Sequence, residues 1–164
     1  MAVVVRSYDR ASDEAWATAF LAEHLGGRRQ ARRGEVVDVL APGLGLVAGD
    51  RIGLLTYRWD GDTVELTAMA AQQRGRGTGT ALVEMLAGVV RTAGASRIWV
   101  TTTNDNVDAL AFYQRRGFGL SGIRIGAVDE ARRTLKPAIP SIGEHGIELH
   151  DEIELTREVP AGVV

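Results

Sequence analysis

One eight-residue stretch constrains this chain more than any other: Gln73-Arg74-Gly75-Arg76-Gly77-Thr78-Gly79-Thr80. It follows residues 64–70, where apolar Val64, Leu66 and Ala68 alternate as in a strand. It precedes Ala81, Leu82, Met85, Leu86 and Val89, which recur at helical spacing up to about Gly94. The first N–H groups of a helix lack internal partners, and the helix dipole places partial positive charge at that end. Glycines let the backbone turn tightly and approach a ligand closely. Arg74 and Arg76 add charged donors suited to phosphate oxygens. Strand, glycine-rich turn and helix together predict a phosphate cradle.

Two familiar cradles fail on the residues. A Walker loop needs Gly-Lys followed by Ser or Thr, and Gly77-Thr78 supplies no lysine. A Rossmann fingerprint needs a third glycine at position 80, where Thr80 stands, and it follows the first strand of a parallel unit. Here two strands, at 44–48 and 52–59, surround a Gly49-Asp50 turn and precede the cradle.

The rest of the chain reads as alternating elements. Val3, Val4 and Val5 predict a first strand; Ser12 predicts an N-cap with Asp13 and Glu14 in the first turn of a helix that Gly26-Gly27 stop. Arg28, Arg29, Arg32 and Arg33 suggest a short exposed helical stretch. Residues 98–102 predict a strand, Asp105 or Asn106 a helix cap, Gly117 that helix's end, and 118–125 another strand. Residues 126–149, with Pro137 and Pro140, predict a long irregular connection before a last strand at 152–158 with one wet face. The expectation is a single domain over 1–164, of the α+β or mixed α/β class, around one sheet.

Composition removes several functions. The 19 basic and 21 acidic residues leave no basic excess for nucleic acid. With no cysteine, there is no disulfide, no thiolate metal site and no acyl-cysteine intermediate. Three scattered histidines, His24, His145 and His150, lack metal spacing, so no metal is expected. No apolar run is long enough for a bilayer, and the amino terminus lacks signal-peptide features, which predicts a cytoplasmic protein with no membrane partner.

The spacing Arg74-x-x-Gly77-x-Gly79 resembles the pyrophosphate turn of the GCN5-related N-acetyltransferase (GNAT) superfamily. A second segment strengthens the likeness: Asn106, Ala109, Tyr113, Gly117 and Phe118 stand in the order and spacing of that family's other cofactor segment. The resemblance covers about residues 44–125. It implies a central mixed sheet of about seven strands flanked by about four helices. It also implies acetyl-CoA as co-substrate, held by Met69 and Ala70 through their backbone and by Arg74, Gly75, Arg76, Gly77, Thr78, Gly79, Thr80 and Asn106. Tyr113 would lie near the sulfur, giving a proton or a hydrogen bond to the leaving thiolate. Position 71, often proline in the family, is Ala71 here.

The implied reaction is direct transfer of acetyl to an amine on a small molecule or peptide. Glu65 is the candidate base, with a solvated strand residue the equal alternative. Glu35, Asp38, Asp151, Glu152 and Glu154 fall where the family borders its acceptor, either as walls that attract a cationic amine or as a solvated face. The tail resembles that of a bacterial subgroup, and dimers are common in the family, so a homodimer stays open. A non-catalytic acyl-CoA sensor or interaction module on the same fold is the alternative function.

Overall fold

The computed structural model describes residues 2–162. In chain order the elements are β1 (Val5–Ser7), α1 (Arg10–Leu25), β2 (Arg29–Arg32), β3 (Glu35–Asp38), β4 (Gly45–Ala48), β5 (Gly53–Asp60) and β6 (Thr63–Ala71). Then come α2 (Thr78–Thr92), β7 (Arg97–Thr103), α3 (Val107–Arg115), β8 (Gly119–Arg124), α4 (Ala127–Thr134) and β9 (Glu152–Glu158). Seven strands form one mixed sheet in the order β1-β4-β5-β6-β7-β9-β8; β2 and β3 form a separate hairpin. The expected sheet of about seven strands with four helices is the observed one.

The chain divides into two compact units. Of the described residues, the first contains 2–29, 38–98 and 159–162. Its strands β1, β4, β5 and β6 pair antiparallel in sequence. Every residue of β4 and the first five of β5 are buried, so both faces of these strands are covered. Leu46, Val47, Leu54, Leu55, Val64 and Leu66 pack with Leu21 of α1 and Leu82, Val83 and Leu86 of α2 in this unit's core. At the α2 end the face is rotated from the sequence reading: Val83, Ala87 and Val90 are buried, while Met85 is exposed.

Asp13, fully buried, ties three elements of this unit together. It accepts from Arg6 Nη1 and Nη2 on β1 at 2.7 and 2.8 Å, from the backbone of Asp9 at 2.9 Å, and from Arg51 Nη2 in the β4–β5 turn at 3.3 Å. The arginines hold its carboxyl well below the usual carboxylate range.

The second unit contains residues 30–37 and 99–158. Its core gathers Trp99 and Val100 of β7, Tyr113 of α3, Phe118, Val128 and Ala131 of α4, Leu149 and Leu155 of β9. Strands β8 and β9 pair antiparallel with a bulge between Leu120 and Gly122.

Four sequence expectations shift. The first strand is Val5–Ser7, starting two residues after Val3, so only Val5 of the expected run lies in it. Asp9 caps α1: its side chain accepts from the N–H of Ser12, which therefore sits inside the helix. Residues 29–38 form a hairpin in place of a helical stretch, because Arg33 and Gly34 both take positive φ and turn the chain back. The connection after β8 opens with α4. That helix has no local side-chain cap; its start is held from far along the chain, by Asp151 Oδ1 accepting from Gly126 N–H at 2.8 Å and His150 O from Val128 N–H at 2.9 Å.

Candidate active site

In the first unit the cradle begins where β6 ends. Met69 and Ala70 lie opposite Leu55 and Leu54 of β5 and are half-buried. The N–H of Gln72 donates to the Ile52 carbonyl at 2.8 Å, and the chain then turns outward through residues 72–77, all exposed. Gly75 and Gly77 have φ of 75° and 78°, a region costly for residues with a Cβ. Gly77 is the N-cap of α2 and no side chain caps that helix. Its first internal bond runs from Ala81 N–H to the Gly77 carbonyl at 3.0 Å, and the first turn carries no acidic residue. The amides and dipole of α2 therefore open beside exposed Arg74 and Arg76. Thr78 is buried, and a Cβ on Gly53 would come within 2.5 Å of its Cγ2. Only a residue without a side chain at 53 lets β5 seat the start of α2.

Glu65 is fully buried on β6 and accepts a hydrogen bond from Arg58 Nε on β5. The neighbouring inward hydroxyls, Thr56 and Thr67, bond to each other at 2.7 Å. The alternation read in the sequence thus has both faces covered, and Glu65 is a buried ion-paired carboxylate rather than a solvated strand residue.

In the second unit Asn106 caps α3, its Oδ1 accepting from Ala109 N–H at 3.2 Å. Tyr113, seven residues on, packs edge-on against Phe112 and Phe118, with ring centroids 5.3 and 5.2 Å away. Burial pushes its phenol above the ordinary value, so it stays protonated.

The two residues before Asn106 do work the sequence reading did not assign. Asn104 Oδ1 accepts from the N–H groups of His150 and Asp151, both at 3.0 Å, while its Nδ2 donates to the Glu148 carbonyl at 2.8 Å. Buried Asp105 accepts from Thr103 Oγ1 and, at 2.8 Å, from Glu144 N–H. Together they pin the connection between α4 and β9 to the start of α3. The only sequence signal was their place beside the cap, because their partners lie about 40 residues away.

The acidic candidates are already engaged. Asp38 accepts from Arg28 Nε at 2.9 Å, and Asp151 from Gly126 N–H. Glu152, buried at the start of the strand expected to have a wet face, accepts from Arg33 N–H. Glu154 accepts from Arg33 and Arg124. Glu35 is exposed. His150 stands between Asp129 and Glu148, which raise its pKa above the ordinary 6.5. Raised in the folded state, this group stabilises the fold most fully below its unfolded value, and the contribution fades as pH rises through the folded one. An NMR titration should place the His150 midpoint above 6.5, and Asp129→Asn, which removes the largest cause, should lower it. His24 packs on the Phe20 ring, and His145 bonds Asp108 at 3.1 Å. Among the described residues no group of three or more His, Cys, Asp or Glu is placed to hold a metal ion, and no helix is long and apolar enough to cross a membrane.

The family model described as "Acetyltransferase (GNAT) family" matches residues 5–118. The chain is also 40% identical over 112 residues to the YdhI protein of Bacillus subtilis, covering 68% of this chain and 69% of that protein. Among solved structures it resembles an IAA acetyltransferase from Bacillus cereus, with TM-score 0.74, 24% identity, and coverage of 96% of this chain and 99% of that one. It also resembles a GNAT family acetyltransferase from Elizabethkingia anophelis with acetyl-CoA bound, with TM-score 0.70, 20% identity, and coverage of 95% and 97%. The cradle and the Asn106–Phe118 segment therefore sit in a chain that belongs to the GNAT family of acetyltransferases.

Proposed function

We propose that this protein moves the acetyl group of acetyl-CoA directly onto an amine of a small molecule or peptide. The observation that carries the reading is the start of α2, which no side chain caps, formed by a strand–glycine–helix sequence that resembles the family's pyrophosphate turn. The family relationship and an acetyl-CoA-bound relative of the same fold support it. In this reading residues 74–80 hold the diphosphate through backbone amides and the two arginines. Met69 and Ala70 hold the pantetheine arm through backbone groups, adding the cofactor to the sheet as a strand would be added. An amide of the same pair polarises the thioester carbonyl.

Tyr113 acts on the leaving sulfur. An unperturbed phenol titrates near 10 and a thiol near 8.5, so full proton transfer to the thiolate is uphill by about 1.5 pKa units even before burial raises the phenol further. A hydrogen bond from the phenol to the developing thiolate is the role its chemistry favours. Asn106 serves α3 as its cap and can still meet the arm with its Nδ2. Glu65, fully buried and ion-paired with Arg58, is the base in this reading and takes the acceptor's proton through an intervening water rather than by direct contact. Positioning the two substrates supplies most of the acceleration, roughly 7–11 kcal/mol.

Calorimetry with acetyl-CoA tests the first half: no heat at millimolar cofactor would end the reading. Release of free CoA thiol across a panel of amines tests the second half and separates an enzyme from a cofactor sensor. Tyr113→Phe should lower kcat roughly 10²-fold while the acetyl-CoA dissociation constant stays within about threefold. An unchanged kcat would remove Tyr113 from the mechanism.

A further inference from the structure

The β2–β3 hairpin breaks a local rule at its tip. Its two-residue turn needs positive φ at both central positions, a demand usually met by Asn-Gly, and this chain places Arg33 there at φ 51° ahead of Gly34 at 79°. The side chain so presented is well received. The Arg33 guanidinium lies over the Trp99 ring, Cζ 4.6 Å from its centroid, and Nη1 donates to Glu154 Oε2 at 3.1 Å. Beneath it the Arg33 N–H donates to both oxygens of buried Glu152, at 2.9 and 3.1 Å.

The receiving groups do not depend on Arg33 for their order. Trp99 is buried on β7. Glu154 Oε2 also accepts from Arg124 Nη2 at 3.0 Å, and its Oε1 accepts from Ser121 Oγ at 3.4 Å. An aromatic face with a fixed carboxylate at its edge is a preformed receptor for a planar cation, and it contains one.

We propose that Trp99 and Glu154 form a subsite for a guanidinium-like cation on the acceptor, which the chain's own Arg33 fills until an acceptor displaces it. This rests on the reading that the acceptor is an amine, and adds that it carries a second positive group. The arginine then acts as a tethered competitor. A short tether holds its group at a local concentration in the millimolar range, so an acceptor's cation must compete with it for the subsite. Glu152, bonded to the Arg33 backbone, keeps the hairpin tip nearby when the side chain swings out.

The test uses ethylguanidinium as the probe and the Trp99 indole N–H resonance, identified by its loss in Trp99→Phe, as the reporter. Arg33→Asn removes the guanidinium and supplies a residue suited to the turn; Arg33→Gly, also at ease at positive φ, gives the same comparison if the first variant folds poorly. The variant should saturate at an ethylguanidinium concentration at least tenfold below that of the parent chain. Adding Glu154→Gln should abolish the gain. A variant that titrates no more tightly than the parent, or a gain that survives Glu154→Gln, overturns the proposal. Acetyl-CoA affinity, measured on the same samples, separates the two readings. If it is intact and no cation binds, only the subsite falls; if the parent chain binds no acetyl-CoA, the proposed function falls instead.

Discussion

Gly77→Val should weaken acetyl-CoA binding at least about 100-fold while Gly77→Asn keeps it within about fivefold. A Cβ at this position would meet no atom within 4 Å, so the space is open and the conflict lies wholly in the backbone. At φ 78° a β-branched residue is strongly disfavoured, costing at least the ~1–2 kcal/mol of an ordinary residue. Escape from that strain would re-aim the first amides of α2, and each charge-assisted hydrogen bond lost to a phosphate costs about 1.5–3 kcal/mol. Two such bonds lost cost about 3–6 kcal/mol, above the ~2.8 kcal/mol that corresponds to a hundredfold. Asparagine tolerates the left-handed region and serves as the control. Calorimetric titration of both variants, with thermal unfolding to verify folding, reads the result. Equal affinities for the two would mean that the turn's conformation does not matter to cofactor binding.

Asp13→Ala should destabilise the chain by about 2–3 kcal/mol, lowering its melting temperature by roughly 5–10 °C. Breaking a buried ion pair from one side costs about 3–5 kcal/mol, because the partners left behind lose their compensation. Arg6 and Arg51 side chains are 45% and 40% exposed and can turn to solvent, which reduces the figure. The Asp9 N–H, left without its acceptor at the start of α1, keeps the loss above that of a surface pair. The pH dependence has a definite sign. A carboxyl whose folded pKa is depressed contributes stability that is complete above its unfolded value, near 3.8, and is lost as pH falls below it. The difference between parent and variant in urea denaturation should therefore be constant from pH 7 to about 5 and shrink under stronger acid. A gap below about 0.5 kcal/mol at pH 7 would show that Asp13 does not join β1, α1 and the β4–β5 turn energetically.

The elements that carry the cradle were legible because their signals are local. The alternation in β6, the glycines at positive φ and the apolar spacing of α2 are each contained in a short run of neighbouring residues. The same holds for Asn106 as the cap of α3. The first helix cap and the arginine-bearing stretch were displaced for equally local reasons, the first strand for a distant one. Val3 and Val4 have the composition of a strand, but pairing with β4 begins only at Val5. Asp9 stands three residues before Ser12 and takes the cap. The spacing of the four arginines suits a helix, but the turn at Arg33-Gly34 overrides it.

What the chain's order of residues determined by itself was the strand–glycine–helix cradle, since helical period, strand alternation and backbone freedom at glycine act over short spans; the family, and with it a sheet of about seven strands, followed from the resemblance of two short motifs. Tertiary structure alone decided which charges are available. Glu65, Asp105, Glu152 and Glu154 read alike as acids in a sequence. They became a buried ion pair, a loop anchor, a hairpin anchor and one wall of a cation receptor only when distant partners arrived. A carboxylate's role depends on what replaces the water it loses, and that is fixed by contacts between residues far apart along the chain.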